Sequence, residues 1–169
     1  MSGEAGDGNS TAVLRIRAHE GPRDELAALF SEADDSESEI ASYRDLGHLL
    51  VADLDGRIVG QAQIVETAER GAFELKSLAV YERWRSQGIG AALVEVAVAH
   101  CRQQDAAVLR VATAAASIGA LQFYQRQGFR IRGVIRDFYA PERGYRPLEL
   151  NGIPLRDEII LDMDLAGSN

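Results

Sequence analysis

The chain has one cysteine, four prolines and one tryptophan, and a single lysine among its eighteen basic residues. The lone Cys101 excludes an intrachain disulfide, and the scattered His19, His48 and His100 have no metal-ligand spacing, so no metal or redox centre is expected. No apolar run approaches the roughly 20 residues that a membrane-crossing helix needs. Residues 1–10 have neither the basic nor the apolar segment of a secretion signal, so the expected location is cytoplasmic, with no membrane partner. Basic excess is missing as well: eighteen Lys and Arg against twenty-six Asp and Glu give a formal charge of −8, concentrated in residues 1–39. Without a basic face to displace counterions from phosphates, nucleic acid is not an expected partner, and a cationic one is favoured. What is present, 46% hydrophobic and 26% charged residues over 169 positions, suits one globular domain. A disordered polar tail is expected over residues 1–10 and a single domain over residues 11–166.

Changes of hydrophobic period place the elements. Leu14 and Ile16 alternate with polar neighbours as a half-buried strand does. Gly21-Pro22 opens a helix in which Leu26, Ala27 and Phe30 recur at helical spacing. The acidic residues 31–39 read as a solvated connector. Residues 49–54 and 57–65 flank Asp55-Gly56, a dipeptide suited to a tight hairpin, and residues 72–80 form a further strand. Residues 88–104 switch to a helical period, with Ile89, Leu93, Val96 and Ala97 on one face. A strand over 107–112, a short helix over 117–127 stopped by Gly128, and strands over 129–139 and 153–165 complete the order. The fold class is mixed α/β, one sheet flanked by helices.

The segment from Leu75 to Leu93 carries the chemistry. It reads as a strand, a short loop with Gly88 and Gly90, and the start of a helix. The first turn of a helix offers N–H groups without intrahelical partners and the positive end of the macrodipole, and glycines give a phosphate clearance to approach. Lys76, Arg83 and Arg85 against Glu82 make this stretch locally basic in an acidic protein. It is neither a P-loop, lacking Gly-Lys-Ser/Thr, nor the dinucleotide fingerprint, whose third glycine would be Leu93.

These residues resemble the GNAT superfamily of N-acetyltransferases, whose acetyl-CoA motif is Arg/Gln-x-x-Gly-x-Gly/Ala after a Leu-x-Val strand. Arg85-Ser86-Gln87-Gly88-Ile89-Gly90 follows Leu78-Ala79-Val80. Downstream, Ala120-Leu121-Gln122-Phe123-Tyr124-Gln125-Arg126-Gln127-Gly128-Phe129 is similar to the family's A-x-x-x-Y-x-x-x-G-F block. The resemblance implies the GNAT fold, a mixed, mostly antiparallel twisted sheet of about six or seven strands flanked by about four helices. It also implies acetyl-CoA as cosubstrate and transfer of its acetyl group to a primary amine. The N–H groups of Arg85, Ser86, Gln87, Gly88, Ile89, Gly90 and Ala91 would bind the coenzyme's pyrophosphate. The edge formed by Leu78, Ala79 and Val80 would pair with the pantetheine amides like an added strand. Tyr124 takes the place of a tyrosine that hydrogen-bonds or protonates the departing thiolate, its alternative role being a core aromatic. Ser117 stands where the family often has an asparagine touching the pantetheine arm.

The acceptor poses the energetic problem. With a reference pKa of about 10.4, exposing an alkylamine's lone pair at pH 7 costs roughly 4 to 5 kcal/mol. A base must help, and Glu74 lies on the motif strand where some family members carry one; Lys76, on the same strand face, is the alternative partner that would hold Glu74 in a charge pair. Cys101, mid-helix among apolar residues, reads as core rather than nucleophile. The acidic residues 31–39 and the aromatic loop 138–152 would favour a cationic small-molecule or peptide amine as partner. Arg130, Arg132 and Arg136, read as one strand face, would instead favour a carboxylate-bearing acceptor. Rival readings are a non-catalytic acyl-CoA-binding module and a transferase using another acyl-CoA. An exposed sheet edge leaves a homodimer open.

Overall fold

The computed structural model describes residues 12–167; the tail expected at residues 1–10 lies outside them. Strand β1 (Leu14–Ala18) leads through a short 3-10 turn into α1 (Ala27–Ala33) and α2 (Glu37–Tyr43), then β2 (His48–Leu54), β3 (Arg57–Glu66) and β4 (Ala72–Val80) form an antiparallel meander with β1. The hairpin turn has Asp55 at φ 50° and Gly56 at φ 85°, the pair of left-handed residues that matches strand twist. Helix α3 (Ile89–Gln103) crosses over to β5 (Val108–Ala114), which lies parallel to β4. After α4 (Ile118–Arg126) come edge strand β6 (Arg130–Ile135), a two-stranded ribbon of β7 (Glu149–Leu150) and β8 (Ile153–Pro154), and β9 (Glu158–Asp164). The main sheet has the order β1-β2-β3-β4-β5-β9-β6, so β9 is inserted between β5 and β6 and antiparallel to both.

The sheet separates two cores. On one face Leu93, Ala97 and Cys101 of α3 pack with Leu75, Leu109, Val111, Leu161, Tyr124 and Phe129. Leu93 and Leu109 are wholly buried, and truncating either to alanine would cost about 2 to 5 kcal/mol. On the other face Leu29, Phe30 and Tyr43 of α1 and α2 cover Leu49, Val51 and Ala79. A bulge in β4 links the two: Ser77 pairs with Gln63 and Leu75 with Ile64, leaving Lys76 as the extra residue. Strand alternation therefore restarts there. Phe73, Leu75, Leu78 and Val80 all meet the α3 core, while Ala79 joins the α1–α2 core and Lys76 lies 5.2 Å from the centroid of the Tyr43 ring.

Two expectations need correction. Residues 31–39 are not a solvated connector: Ser31–Ala33 finish α1, and fully buried Ser36 caps α2 by accepting from the Glu39 N–H at 3.3 Å. The strands expected over 129–139 and 153–165 are also shorter. Asp137 turns the chain with φ 53°, its N–H donating to the Asp157 carboxylate at 2.9 Å, and the ribbon turns at Asn151 (φ 52°) and Gly152 (φ 78°). Pro141, Pro147 and Pro154 lack the N–H a continuous ladder requires. No helix among the described residues is long and apolar enough to cross a membrane.

Candidate active site

Strands β4 and β5 pair only from Ala72 to Leu75, against Val108 to Val111, and then diverge. Each residue of an antiparallel strand points both backbone groups to one side. The Tyr81 N–H donates to the Val59 carbonyl at 3.0 Å, so the same parity turns Ala79 and Ser77 toward β3 and leaves the backbone groups of Leu78 and Val80 facing the gap. The gap leads to the start of α3. Gly88 caps that helix at φ 81°, a conformation that L side chains rarely adopt, and a Cβ there would meet nothing within 4 Å. None of the N–H groups of Ser86, Gln87, Gly88, Ile89, Gly90 and Ala91 has an acceptor among the described residues. An open strand edge ending on bare N–H groups can pair with an extended amide chain and receive an anionic group.

Several residues assigned to that site do other work. The Arg85 N–H already donates to the Glu82 carbonyl at 3.1 Å. Its guanidinium donates to the Val80 carbonyl at 2.9 Å and to Glu32 of α1 at 2.6 Å, clamping the loop rather than reaching a ligand. That bond also occupies the Val80 carbonyl. The Ala79 backbone belongs to the β3 ladder. Gly90 does not provide clearance for a ligand: a Cβ there would lie 3.3 Å from the Phe123 ring, so its small size serves packing of α3 on α4. Nor do Arg130, Arg132 and Arg136 share a face, because a bulge falls between Ile131 and Gly133, and Arg132 is paired with Asp162 at 2.9 Å.

Tyr124 lies in the α3 core, edge-on to Phe123 and Phe129, and its hydroxyl hydrogen-bonds no described residue. It is thus a core aromatic that also keeps a free hydroxyl. Burial raises its pKa well above the usual tyrosine range, which keeps the proton on the oxygen. Ser117 is the N-cap residue of α4, and its side chain makes no capping bond. Glu74 lies on the opposite face, with Lys76 Nζ 3.6 Å from its carboxylate. Cys101 is buried, and its thiol is pushed up to about 11, which removes thiolate character at neutral pH.

On the Glu74 face, segments distant in sequence converge. Gly144, at φ 81°, brings the 138–145 loop so close to α2 that a Cβ would lie 2.6 Å from Ser38 Oγ and 2.7 Å from Ser36 Oγ; Ser36 Oγ donates to the Arg143 carbonyl at 2.8 Å. Asp34, between α1 and α2, accepts from Tyr145 at 3.0 Å and Tyr43 at 3.4 Å. Burial raises its pKa, opposed by the hydrogen bonds from the Ser36 N–H and from Tyr145. The rings of Tyr139 and Tyr145 lie 4.9 Å apart, and a cleft of about 670 Å³ opens beside them. Glu158, the first residue of β9, is a candidate on this face that the sequence reading missed. It is only 8% exposed, and its side chain forms no hydrogen bond or ion pair with a described residue. Burial pushes its carboxyl up to about 7, with Lys76 drawing it down and Glu74 raising it. The available signal was a carboxylate at the head of an otherwise apolar strand.

A family model described as the acetyltransferase (GNAT) family matches residues 13–129. YvbK, an uncharacterized N-acetyltransferase of Bacillus subtilis, is 31% identical over 152 residues, covering 90% of this chain and 97% of its own. An IAA acetyltransferase from Bacillus cereus is 31% identical with a TM-score of 0.82, the match covering 90% of this chain and 99% of that one. A GNAT family acetyltransferase from Elizabethkingia anophelis, solved with acetyl-CoA bound, is 29% identical with a TM-score of 0.82, covering 89% and 97%.

Proposed function

The chain belongs to the acetyltransferase (GNAT) family, and from that premise we propose that it transfers the acetyl group of acetyl-CoA to a primary amine by direct attack on the thioester. The observation carrying this reading is the gap between β4 and β5, which joins the unpaired backbone edge at Leu78 to the unpartnered N–H groups behind Gly88. Pantetheine would lie along Leu78, and the pyrophosphate would bind the N–H groups from Ser86 to Ala91. The thioester would then lie between the two faces, with Tyr124 on one and the carboxylates on the other.

The amine nitrogen attacks the carbonyl carbon, the C–S bond breaks, and the leaving sulfur is protonated. Tyr124, kept neutral by burial, suits the donor's role. Glu74 is the sequence candidate for the base, drawn toward Lys76 as it stands. The acceptor is a cationic amine, small or peptide-borne, because Asp34, Glu39, Glu74 and Glu158 outnumber Lys76 and Arg143 on its face. A cytoplasmic setting belongs to the same reading.

Tyr124→Phe tests turnover against mere coenzyme binding. Acetyl-CoA affinity should stay within about twofold while kcat falls by roughly 10- to 100-fold. A variant with unchanged kcat would remove Tyr124 from the chemistry, and a wild-type protein that binds acetyl-CoA without acetylating any amine would favour the binding module.

A further inference from the structure

Glu158 lies between two strand ends and within electrostatic reach of three further segments. It opens β9 in register with Ala114 at the end of β5 and Ile135 at the end of β6, beyond the point where β4 has left β5. The charged groups acting on it are Lys76 and Glu74 from β4, Asp34 from the α1–α2 junction and Arg143 from the loop, while its ladder partners Ala114 and Ile135 carry no charge. Tyr139 couples to it from the loop as well. The cations there have partners of their own, Lys76 with Glu74 at 3.6 Å and Arg143 with Glu39 at 3.3 Å. Glu158, more than nine-tenths buried, has none among the described residues. A largely desolvated carboxylate whose oxygens still reach solvent, and whose neighbouring cations are engaged elsewhere, suits a cation that enters from outside.

We infer that Glu158 is the missing partner of the acceptor's ammonium group and takes its proton before attack, in place of Glu74. The inference rests on the acetyl-transfer reading above. One ammonium proton passes to the Glu158 carboxylate, freeing the lone pair, and the nitrogen bonds to the thioester carbon. As the C–S bond breaks, a second proton leaves nitrogen and one is delivered to the thiolate, so the products are the acetylated amine, CoA thiol and the proton held by Glu158. The carboxyl at about 7 lies closer to an amine than an ordinary glutamate near 4.5 does. The proton-transfer equilibrium is thereby improved roughly 300-fold. The recognised class is a primary alkylammonium.

The test is the pH dependence of kcat/KM for a primary amine that the wild-type protein acetylates, compared with Glu158→Gln and Glu74→Gln, with acetyl-CoA affinity measured on each. In wild type the rate should climb through an acid limb near pH 7. Glu158→Gln should abolish that limb and lower kcat/KM at pH 7 by roughly 100-fold or more, with acetyl-CoA affinity within about twofold. Glu158→Asp, should the glutamine variant fold poorly, should keep the limb at reduced rate. If the limb survives in Glu158→Gln, or vanishes in Glu74→Gln instead, the assignment is overturned. A wild-type protein inactive toward every amine overturns the acetyl-transfer reading, a result distinguishable from failure of Glu158 alone.

Discussion

The two halves of the candidate site are built in opposite ways. The proposed coenzyme side is one continuous stretch of chain, from β4 through the glycine loop into α3, and its useful features are backbone groups left bare by strand divergence and by a helix start. The proposed acceptor side is assembled from α1–α2, the β4 bulge, the 138–145 loop and β9, and its useful features are side chains held by contacts across more than a hundred residues, such as Tyr145 to Asp34. A backbone site tolerates side-chain change and serves a constant ligand. A side-chain site can be rebuilt for each acceptor, and it stores cost in groups such as Glu158.

Substitutions can break this contrast at both ends. The largest effect is expected from Gly88→Glu, which forces a side chain into φ 81° and places a negative charge where the pyrophosphate would bind. Calorimetry should show acetyl-CoA affinity lower by roughly 100-fold or more. Next comes the stability cost of Glu158. Its carboxyl is harder to ionise folded than unfolded, so the folded state holds an extra proton between about 4.5 and about 7; stability is full below that window and lost as pH rises through it. Glu158→Gln should therefore unfold later than wild type at pH 8, by up to roughly 3 kcal/mol, with little gain at pH 4, as read by chemical denaturation.

A smaller and more selective effect is expected from Gly144→Ala, whose Cβ would collide with Ser36 and Ser38. Undocking the loop should raise KM for the amine about tenfold while leaving acetyl-CoA affinity alone, an increase worth about 1.4 kcal/mol. Steady-state kinetics beside calorimetry would show whether the halves are separable. The smallest effect belongs to Gly90→Ala. The helix gains about 1 kcal/mol of propensity, the tight approach to Phe123 offsets it, and coenzyme affinity should barely move. A loss of coenzyme binding comparable with that of Gly88→Glu would return Gly90 to the ligand.

The same contrast explains what could be read from the sequence. The hairpin at Asp55-Gly56, the β4 strand over 72–80 and the glycine-capped helix follow from local period and turn chemistry, which a single segment displays. The β4 bulge was invisible because Glu74-Leu75-Lys76-Ser77 reads as plain alternation; only its register against β3 makes Lys76 the extra residue. Ser36-x-x-Glu39 is a helix-start signature lying inside a charge run, and the acidic composition masked it. Glu158 carried no local sign of burial, since its environment comes from residues up to 124 positions away, Asp34 among them.

The most direct measurement is calorimetric titration of the protein with acetyl-CoA, followed by mass detection of CoA and acetylated product across primary amines with and without a carboxylate. The account predicts saturable coenzyme binding and product from a cationic amine, with carboxylate-bearing amines slower because their charge meets Asp34, Glu39 and Glu74. Coenzyme binding with no product from any amine, or a clear preference for carboxylate-bearing acceptors, would contradict it.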